Sequence, residues 1–243
     1  MESMHIGIAH FLPDLLNLYG DHGNVFCLQK RLLWRGISAS VTQYRLGDEL
    51  NIDEADIIFM GGGSDREQKI ATTRLLDYKE VLKTYVEKDG VLLAICGGYQ
   101  LIGHYYQAGE EEIRGLSLID AYTVSGNKRL VGNIVLQCDS PRLQTKLVGF
   151  ENHSGRTHIG DHTPLGKVAR GFGNNGEDGI EGIIYKNVIG TYLHGPVLPK
   201  NPVLSDYILQ KALERKYGSD VEMPPLDDEA ESRTHDYLVQ RFS

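Results

Sequence analysis

Cysteine is scarce in this sequence, and no arrangement of cysteines suggests a crosslink or a metal site. The three cysteines, Cys27, Cys96 and Cys138, are widely spaced and odd in number, and no Cys-x-x-Cys pair occurs. Disulfide frameworks and zinc sites need even-numbered or closely spaced cysteines. We therefore expect a cytoplasmic protein that binds no metal.

A long apolar stretch and an excess of positive charge are also missing. No apolar run approaches the roughly 20 residues that cross a bilayer, and residues 1–10 lack the layout of a signal peptide. Acidic residues outnumber basic ones, 33 against 25, which gives a formal net charge of −8. A protein that binds nucleic-acid phosphates would carry the opposite charge. We therefore expect no nucleic-acid partner and no direct membrane insertion.

Strand and helix signals alternate through the first half of the chain. This alternation predicts a mostly parallel sheet flanked by helices in three layers. The second half is richer in strand signals, and no linker or repeat divides residues 1–243, so we predict a single α/β domain. The predicted strands are residues 5–10, 40–44, 56–60, 91–95, 134–137, 146–150, 182–185 and 188–193. The main predicted helices are residues 24–35, 74–88 and 201–216, and a last one opens near residues 227–231.

A cysteine directly follows one of the most apolar predicted strands. Residues 91–95 run into Cys96, Gly97 and Gly98, after which apolar residues recur at helical spacing. Such a strand–turn–helix segment presents a nucleophile at the carboxyl edge of a sheet, and glycines permit the tight turn. The positive end of the helix favours the reactive thiolate. An inert buried cysteine is the alternative, but the turn favours Cys96 as a nucleophile.

Glycines near the predicted nucleophile are candidate donors to an oxyanion. Attack on an amide carbonyl creates such an oxyanion, which needs backbone N–H groups already in position. Gly97 is one expected donor, and Gly62 or Gly63, at the end of the preceding strand, is the other. A phosphate-binding loop is the rival interpretation of the run that starts at Gly61, but no Lys-Ser or Lys-Thr follows it.

The predicted general base is His194, which ends an apolar run and precedes a turn. A base for Cys96 must reach the same sheet edge, and the end of another strand is such a position. A histidine that merely ends a strand would look the same in sequence. A second group of histidines lacks a completing carboxylate or cysteine pattern, so we expect no metal there: His153, His158 and His162.

The turn after the predicted nucleophilic strand resembles the Gly-x-Cys-x-Gly-x-Gln elbow of class I glutamine amidotransferases. Residues 94–100 match this pattern, except that alanine stands in place of the first glycine. Residues 191–196 resemble the histidine motif of the CobQ/CobB branch of the family. The resemblance implies glutamine as the substrate, with Gln100 and Gly61 among the residues that hold it.

Most of the chain is similar to the glutaminase subunits of the lipid II isoglutaminyl synthases of Gram-positive bacteria. By this resemblance Arg129 lies near the site and helps to hold or admit glutamine. The resemblance also implies a heterodimer with a Mur-ligase-like synthetase subunit, which binds ATP and Mg and amidates the D-glutamate of lipid II near the inner membrane face. This chain would need no cofactor of its own. The similar segments are residues 16–24, 61–68, 149–157 and 191–201.

One position departs from the class I pattern. Two places after the histidine, members of this class carry an acidic residue that orients the imidazole, whereas this chain has Pro196. The carboxylate must come from elsewhere in the chain or from a partner, or it is absent. Our hypothesis is that the synthetase partner supplies it, which implies weak glutaminase activity of the isolated subunit.

Three other functions fit part of the pattern. The chain could serve another synthetase, such as one of the cobyric-acid type, although 243 residues hold no fused synthetase domain. It could be a cysteine-dependent hydrolase or protease of the same fold, but the match at Gln100 argues against this. It could also be a non-catalytic scaffold, which the presence of both Cys96 and His194 disfavours.

Overall fold

The computed structural model of the protein describes residues 4–141 and 143–242 and contains two six-stranded sheets. No helix within these residues is long and apolar enough to cross a membrane. The strands are β1 His5–Phe11, β2 Ser38–Tyr44, β3 Ile57–Met60, β4 Val91–Ile95, β5 Tyr105–Ala108, β6 Glu111–Arg114, β7 Tyr122–Ser140, β8 Leu143–His158, β9 Gly166–Arg170, β10 Ile180–Glu181, β11 Ile183–Tyr185 and β12 Val188–Thr191. The helices are α1 His22–Trp34, α2 Asp65–Leu75, α3 Lys79–Glu87, α4 Gly97–Ile102, α5 Pro202–Tyr217 and α6 Glu229–Phe242.

The first sheet is mostly parallel and has the strand order β11-β12-β4-β3-β1-β2. The β11–β12 pair is antiparallel, and the other pairs are parallel. From β1 the chain goes to β2 on one side and then returns to β3 on the other side of β1. Loops diverge at the carboxyl edge beside such a switch point, which is where open α/β sheets bind ligands. This sheet and its helices confirm the predicted fold class.

The central strands of this sheet are buried along their whole length. Every residue of β3 and β4 is buried, whereas the edge strand β2 is mostly exposed or half-buried. Strands that are covered on both faces need continuous apolar runs, so the sequence locates β3 and β4 closely. The predicted helix 74–88 is wrong in extent, because a short 3-10 turn at Leu76–Tyr78 separates α2 from α3.

Two long antiparallel strands, β7 and β8, dominate the second sheet. They pair along most of their length, with a register shift between Ser125 and Leu130. The predicted strands 134–137 and 146–150 are the apolar middle of this hairpin. Its outer ends carry glycines and polar residues without a clear strand period, so the sequence does not reveal them. Buried apolar residues of both sheets belong to one cluster.

A buried arginine joins α1 to the last two helices. Arg31 is 2% exposed and forms paired hydrogen bonds with Asp206 at 2.7 Å and with Asp228 at 2.6 and 2.8 Å. Arg35 adds a third contact to Asp206 at 2.6 Å. Arg31 and Arg35 are therefore internal crosslinks between helices, so they do not form a basic surface for an anionic partner.

We expect Arg31→Met to lower the free energy of unfolding by about 3 kcal/mol, because it leaves the Asp228 carboxylate without its arginine and removes one of the two arginines that pair with Asp206. Chemical denaturation of the wild type and the variant measures this difference. The matched control is Arg233→Met on α6, where an exposed arginine lies 3.8 Å from Glu229, with an expected change below about 0.5 kcal/mol. Equal effects of the two substitutions would contradict this view of Arg31.

Candidate active site

The predicted nucleophile, base and glycine run meet at the carboxyl edge of the first sheet. They follow β4, β12 and β3, which are neighbours in the strand order. A Cβ atom placed on Gly62 would lie 3.0 Å from His194 Cε1 and 3.3 Å from Cys96 Cβ. Residues that are about 130 positions apart in sequence therefore surround one point.

The turn that carries Cys96 has the strained geometry of a nucleophile elbow. Cys96 has φ 50° and ψ −105°, a left-handed conformation that is costly for a residue with a side chain. Its N–H donates to the Thr191 carbonyl at 2.8 Å, and its carbonyl accepts from Gln100 N–H at 3.0 Å. Gly98 packs so closely on the Met60 carbonyl that a Cβ there would lie 2.8 Å from it. The glycine allows α4 to begin directly after the nucleophile.

His194 is held by backbone contacts with the second sheet. Its N–H donates to the Phe150 carbonyl at 2.8 Å, and its own carbonyl accepts from Phe150 N–H at 3.4 Å. The side chain is fully buried. Within residues 4–141 and 143–242, His194 Nε2 has no hydrogen-bond partner, so this nitrogen is free to exchange a proton with Cys96 or a substrate.

The electrostatic surroundings of His194 favour a protonated imidazole. Burial by itself would lower the pKa of His194, but the charge of the adjacent Cys96 sulfur and the Asp21 carboxylate outweigh burial and raise this pKa to about 10. A protonated histidine beside a cysteine stabilises the thiolate, which is the nucleophilic form. The pair is therefore arranged for nucleophilic attack on a carbonyl carbon.

The carboxylate that orients His194 comes from this chain, which corrects the hypothesis of a carboxylate from the partner. Asp21 Oδ1 lies 3.3 Å from His194 Nδ1, and both side chains are fully buried. Asp21 stands at the N-cap of α1 but makes no capping hydrogen bond with its side chain. From the sequence, an aspartate at a helix start is read as a cap, and 173 residues separate it from the histidine.

The structure also corrects the assignment of Gly62 as an oxyanion donor. Gly62 N–H already donates to Asp21 Oδ2 at 2.8 Å, and an amide has one hydrogen to give. The Gly62 carbonyl accepts from Leu18 N–H at 2.8 Å. Because a trans peptide directs its carbonyl and its N–H in opposite directions, this bond fixes the direction of the Gly63 N–H.

Gly63 and Gly97 keep backbone N–H groups that are not engaged elsewhere among the described residues, and their role as oxyanion donors stays a prediction. Neither N–H donates to any other group in the described part of the chain. The two backbones lie side by side, since a Cβ on Gly97 would be 2.8 Å from Gly63 N. The capping box of α2, in which Ser64 and Glu67 exchange hydrogen bonds, fixes the chain directly after Gly63.

Gly61 and Gln100, the predicted substrate contacts, help to shape the turn in this structure. Gly61 is enclosed by the Leu16 carbonyl and by Asp21, and its own carbonyl accepts from Gly98 N–H at 3.0 Å. Gln100 is 5% exposed, and its Nε2 donates to the Tyr192 hydroxyl at 3.1 Å. Contact of either residue with glutamine stays a prediction.

Arg129 is connected to His194 through two intervening side chains. It donates to the Asn152 side-chain and backbone oxygens, both at 2.9 Å. Asn152 Nδ2 donates to the Tyr19 hydroxyl at 2.6 Å, and the Tyr19 ring meets the His194 ring edge-on at 5.0 Å. Tyr19 has a φ of 59° and covers one side of the base. A direct role of Arg129 in binding glutamine stays a prediction.

The histidines of the second group have separate surroundings. His153 stacks on Tyr192 at 3.6 Å, His158 stacks on Tyr122 at 5.0 Å, and His162 Nε2 accepts from a backbone N–H at 3.0 Å. Among the described residues, no three histidine, cysteine or acidic side chains are arranged to hold a metal ion. The rings of His153 and His162 contact Tyr192 and Tyr185, which lie after β12 and in β11 of the first sheet, and His158 packs within the second sheet.

Sequence comparisons relate the chain to glutamine amidotransferases. Residues 7–202 match the CobB/CobQ-like glutamine amidotransferase domain. The chain is 47% identical over 240 residues to the lipid II isoglutaminyl synthase (glutamine-hydrolyzing) subunit GatD of Staphylococcus aureus, across 98% of this chain and 97% of that protein. It is 41% identical over 226 residues to GatD of Streptococcus pneumoniae, across 92% of this chain and 86% of that protein.

Other similarities are more distant. A probable cobyric acid synthase of Methanocaldococcus jannaschii is 32% identical over 180 residues, which span 67% of this chain but 35% of that protein. A solved glutamine amidotransferase structure superposes with a TM-score of 0.55 at 16% identity and covers 84% of this chain and 98% of its own. At this identity the structural likeness concerns the fold alone.

We expect Asp21→Asn to lower the pKa of His194 below its value of about 10, because the amide removes the negative charge that stabilises the imidazolium. Titration of the imidazole signals by NMR, with His194 assigned from a His194→Gln variant, measures this shift. Asp14→Asn, on the exposed part of the same loop, is the matched control and should leave the titration unchanged. An unaltered His194 titration in Asp21→Asn would refute the assigned contact.

Proposed function

The chain belongs to the CobB/CobQ-like glutamine amidotransferase family, and we propose that it is the glutamine-hydrolysing subunit of a lipid II isoglutaminyl synthase. The observation that carries this proposal is the meeting of Cys96, His194 and two free backbone amides at one sheet edge. These are the groups that an acyl transfer through a cysteine requires. They lie in a chain that is similar to GatD over nearly its whole length.

In the first half of the proposed cycle, the Cys96 thiolate attacks the side-chain amide carbon of glutamine. A carbon–sulfur bond forms, and the carbonyl electron pair moves onto oxygen. The Gly63 and Gly97 N–H groups, which have no acceptor among the described residues, donate to this oxyanion. The carbon–nitrogen bond then breaks as His194 Nε2 gives its proton to the leaving nitrogen. Ammonia departs and a glutamyl thioester remains.

In the second half, water hydrolyses the thioester. The now neutral His194 Nε2 takes a proton from water while the water oxygen attacks the thioester carbon, and the same two amides hold the new oxyanion. The carbon–sulfur bond breaks, glutamate leaves, and the Cys96 thiolate beside a protonated His194 is restored. Asp21 keeps the imidazole in place through both halves and stabilises its charge.

The partner in this proposal is a Mur-ligase-like synthetase subunit that forms a heterodimer with the chain. Ammonia is largely protonated at neutral pH and is then no nucleophile, so a sheltered passage to the site of its use is needed. The synthetase would bind ATP and Mg and activate the D-glutamate carboxyl of lipid II, in the cytoplasm near the inner membrane face. The identity to GatD along most of both chains supports this partner over one of the cobyric-acid type.

The Asp21 contact changes the expectation for the isolated subunit. The hypothesis of weak activity rests on a missing orienting carboxylate, whereas Asp21 Oδ1 of this same chain lies 3.3 Å from His194 Nδ1. Burial of Cys96, which is 7% exposed, and the position of Tyr19 over His194 still limit the access of glutamine. The isolated chain should therefore hydrolyse glutamine once this loop admits it, and the partner should raise the rate.

We expect Cys96→Ala to reduce glutamate release from glutamine by more than about 1,000-fold, because the covalent route is lost. Glutamate release is measured for the isolated chain and with the synthetase partner, ATP and lipid II, and amidated lipid II is followed by mass spectrometry. Cys27→Ala, at a half-buried cysteine of α1, is the control and should remain active.

Three outcomes would count against the proposal. Activity retained in Cys96→Ala would remove the assigned nucleophile. The absence of glutamate under every condition would favour a hydrolase with another substrate or a scaffold. Glutamate release without amidated lipid II would keep the glutaminase reaction but reject this acceptor.

A further inference from the structure

A second carboxamide lies directly beside the two free amides of the candidate site. Gln68 is the fourth residue of α2 and is 2% exposed. Its Nε2 donates to the Gly63 carbonyl at 3.2 Å. Its Cδ lies 3.1 Å from the position that a Cβ on Gly97 would take, and Gly63 N lies 2.8 Å from the same position. The Gln68 carboxamide therefore packs directly against the Gly63 and Gly97 backbones.

The orientation of the Gln68 carboxamide follows from this contact. A carbonyl oxygen can accept a hydrogen bond but cannot donate one, so the nitrogen of Gln68 must face Gly63. The Oε1 atom is then left without a donor, and it is buried and unpartnered in residues 4–141 and 143–242. Buried polar atoms nearly always have a partner, and an unsatisfied one weakens the folded state. A donor that arrives with a ligand would satisfy Oε1.

The side-chain amide of a bound glutamine has an N–H group that could donate to Gln68 Oε1. When its oxygen accepts from the Gly63 and Gly97 amides, its nitrogen is bonded to the same carbon and so lies close to the two backbones against which Gln68 packs. We infer that Gln68 is a specificity-determining residue whose Oε1 accepts an N–H from the reacting amide of glutamine. This inference rests on the proposed function and adds to it the group that distinguishes an amide from an acid.

The contact would act on both the substrate and the product. Glutamate presents a carboxylate oxygen in place of the amide nitrogen, and two acceptors facing each other repel, so Gln68 would disfavour the product and assist its release. In the tetrahedral intermediate, the hydrogen bond to the nitrogen directs the remaining lone pair of that nitrogen away from Gln68. That lone pair must accept the proton of His194 Nε2. Gln68 itself transfers no proton.

A comparison of an amide and an ester substrate tests this contact. The substrates are L-glutamine and the γ-methyl ester of L-glutamate, which form the same thioester, but the ester has no N–H on its leaving group. We expect Gln68→Met to lower kcat/KM for glutamine about tenfold more than kcat/KM for the ester, the scale of one hydrogen bond to a buried acceptor. Loss of the Nε2 contact with Gly63 affects both substrates alike and cancels in the ratio.

Two further variants separate recognition from a structural role. Gln68→Glu keeps an acceptor oxygen but loses the donor to Gly63, so its overall rate should fall while its amide-to-ester ratio stays near that of the wild type. Gln210→Met removes a half-buried carboxamide of α5 that bonds the Val221 carbonyl, and it should leave the ratio unchanged. If Gln68→Met does not fold at the assay temperature, Gln68→Leu gives the same comparison.

The outcomes distinguish this inference from the proposed function. A selective loss of glutamine hydrolysis in Gln68→Met, with a preserved ratio in Gln68→Glu, supports the contact. Equal losses for the amide and the ester overturn the contact and leave the glutaminase function intact. A wild-type protein that hydrolyses neither substrate overturns the proposed function, and the inference fails with it.

Discussion

The carboxylate of Asp21 is shared between a side chain and a backbone amide, and most of the candidate site depends on this sharing. One oxygen faces His194 Nδ1 and the other accepts the Gly62 N–H. The same loop donates Leu18 N–H to the Gly62 carbonyl, which directs the Gly63 N–H. The position of the His194 ring and the direction of the Gly63 N–H thus both depend on one short segment, so a movement of this loop would disturb both together.

The second sheet positions the site although it carries neither the nucleophile nor the glycine run. Phe150 of β8 exchanges two backbone hydrogen bonds with His194. Asn152 of the same strand donates to the hydroxyl of Tyr19, whose ring contacts the imidazole. The long β7–β8 hairpin is therefore part of the site's framework. Residues 149–157, which resemble the glutaminase subunits, thus help to hold His194 in place.

Prediction from the sequence succeeded where local chemistry decides the structure. The buried strands β3 and β4 are continuous apolar runs, and the glycines after them mark where each strand stops. The elbow at Cys96 is recognisable because the cysteine stands directly between a continuous apolar run and two glycines. The outer ends of β7 and β8 are not recognisable from the sequence, because no local alternation of apolar and polar residues marks them. Pairing between the two strands holds these polar and glycine-rich segments extended.

The sequence by itself determined the parallel sheet and the family, and it was enough to propose Cys96 as the nucleophile and His194 as the base, because these features depend on short segments with a distinctive pattern. Only the tertiary structure decided which carboxylate orients His194, that Gly62 N–H is already engaged, and that Gln68 Oε1 lacks a partner. The physical reason is that a hydrogen bond joins atoms in space. Asp21 and His194 are distant in sequence, and no local pattern records which donor meets which acceptor.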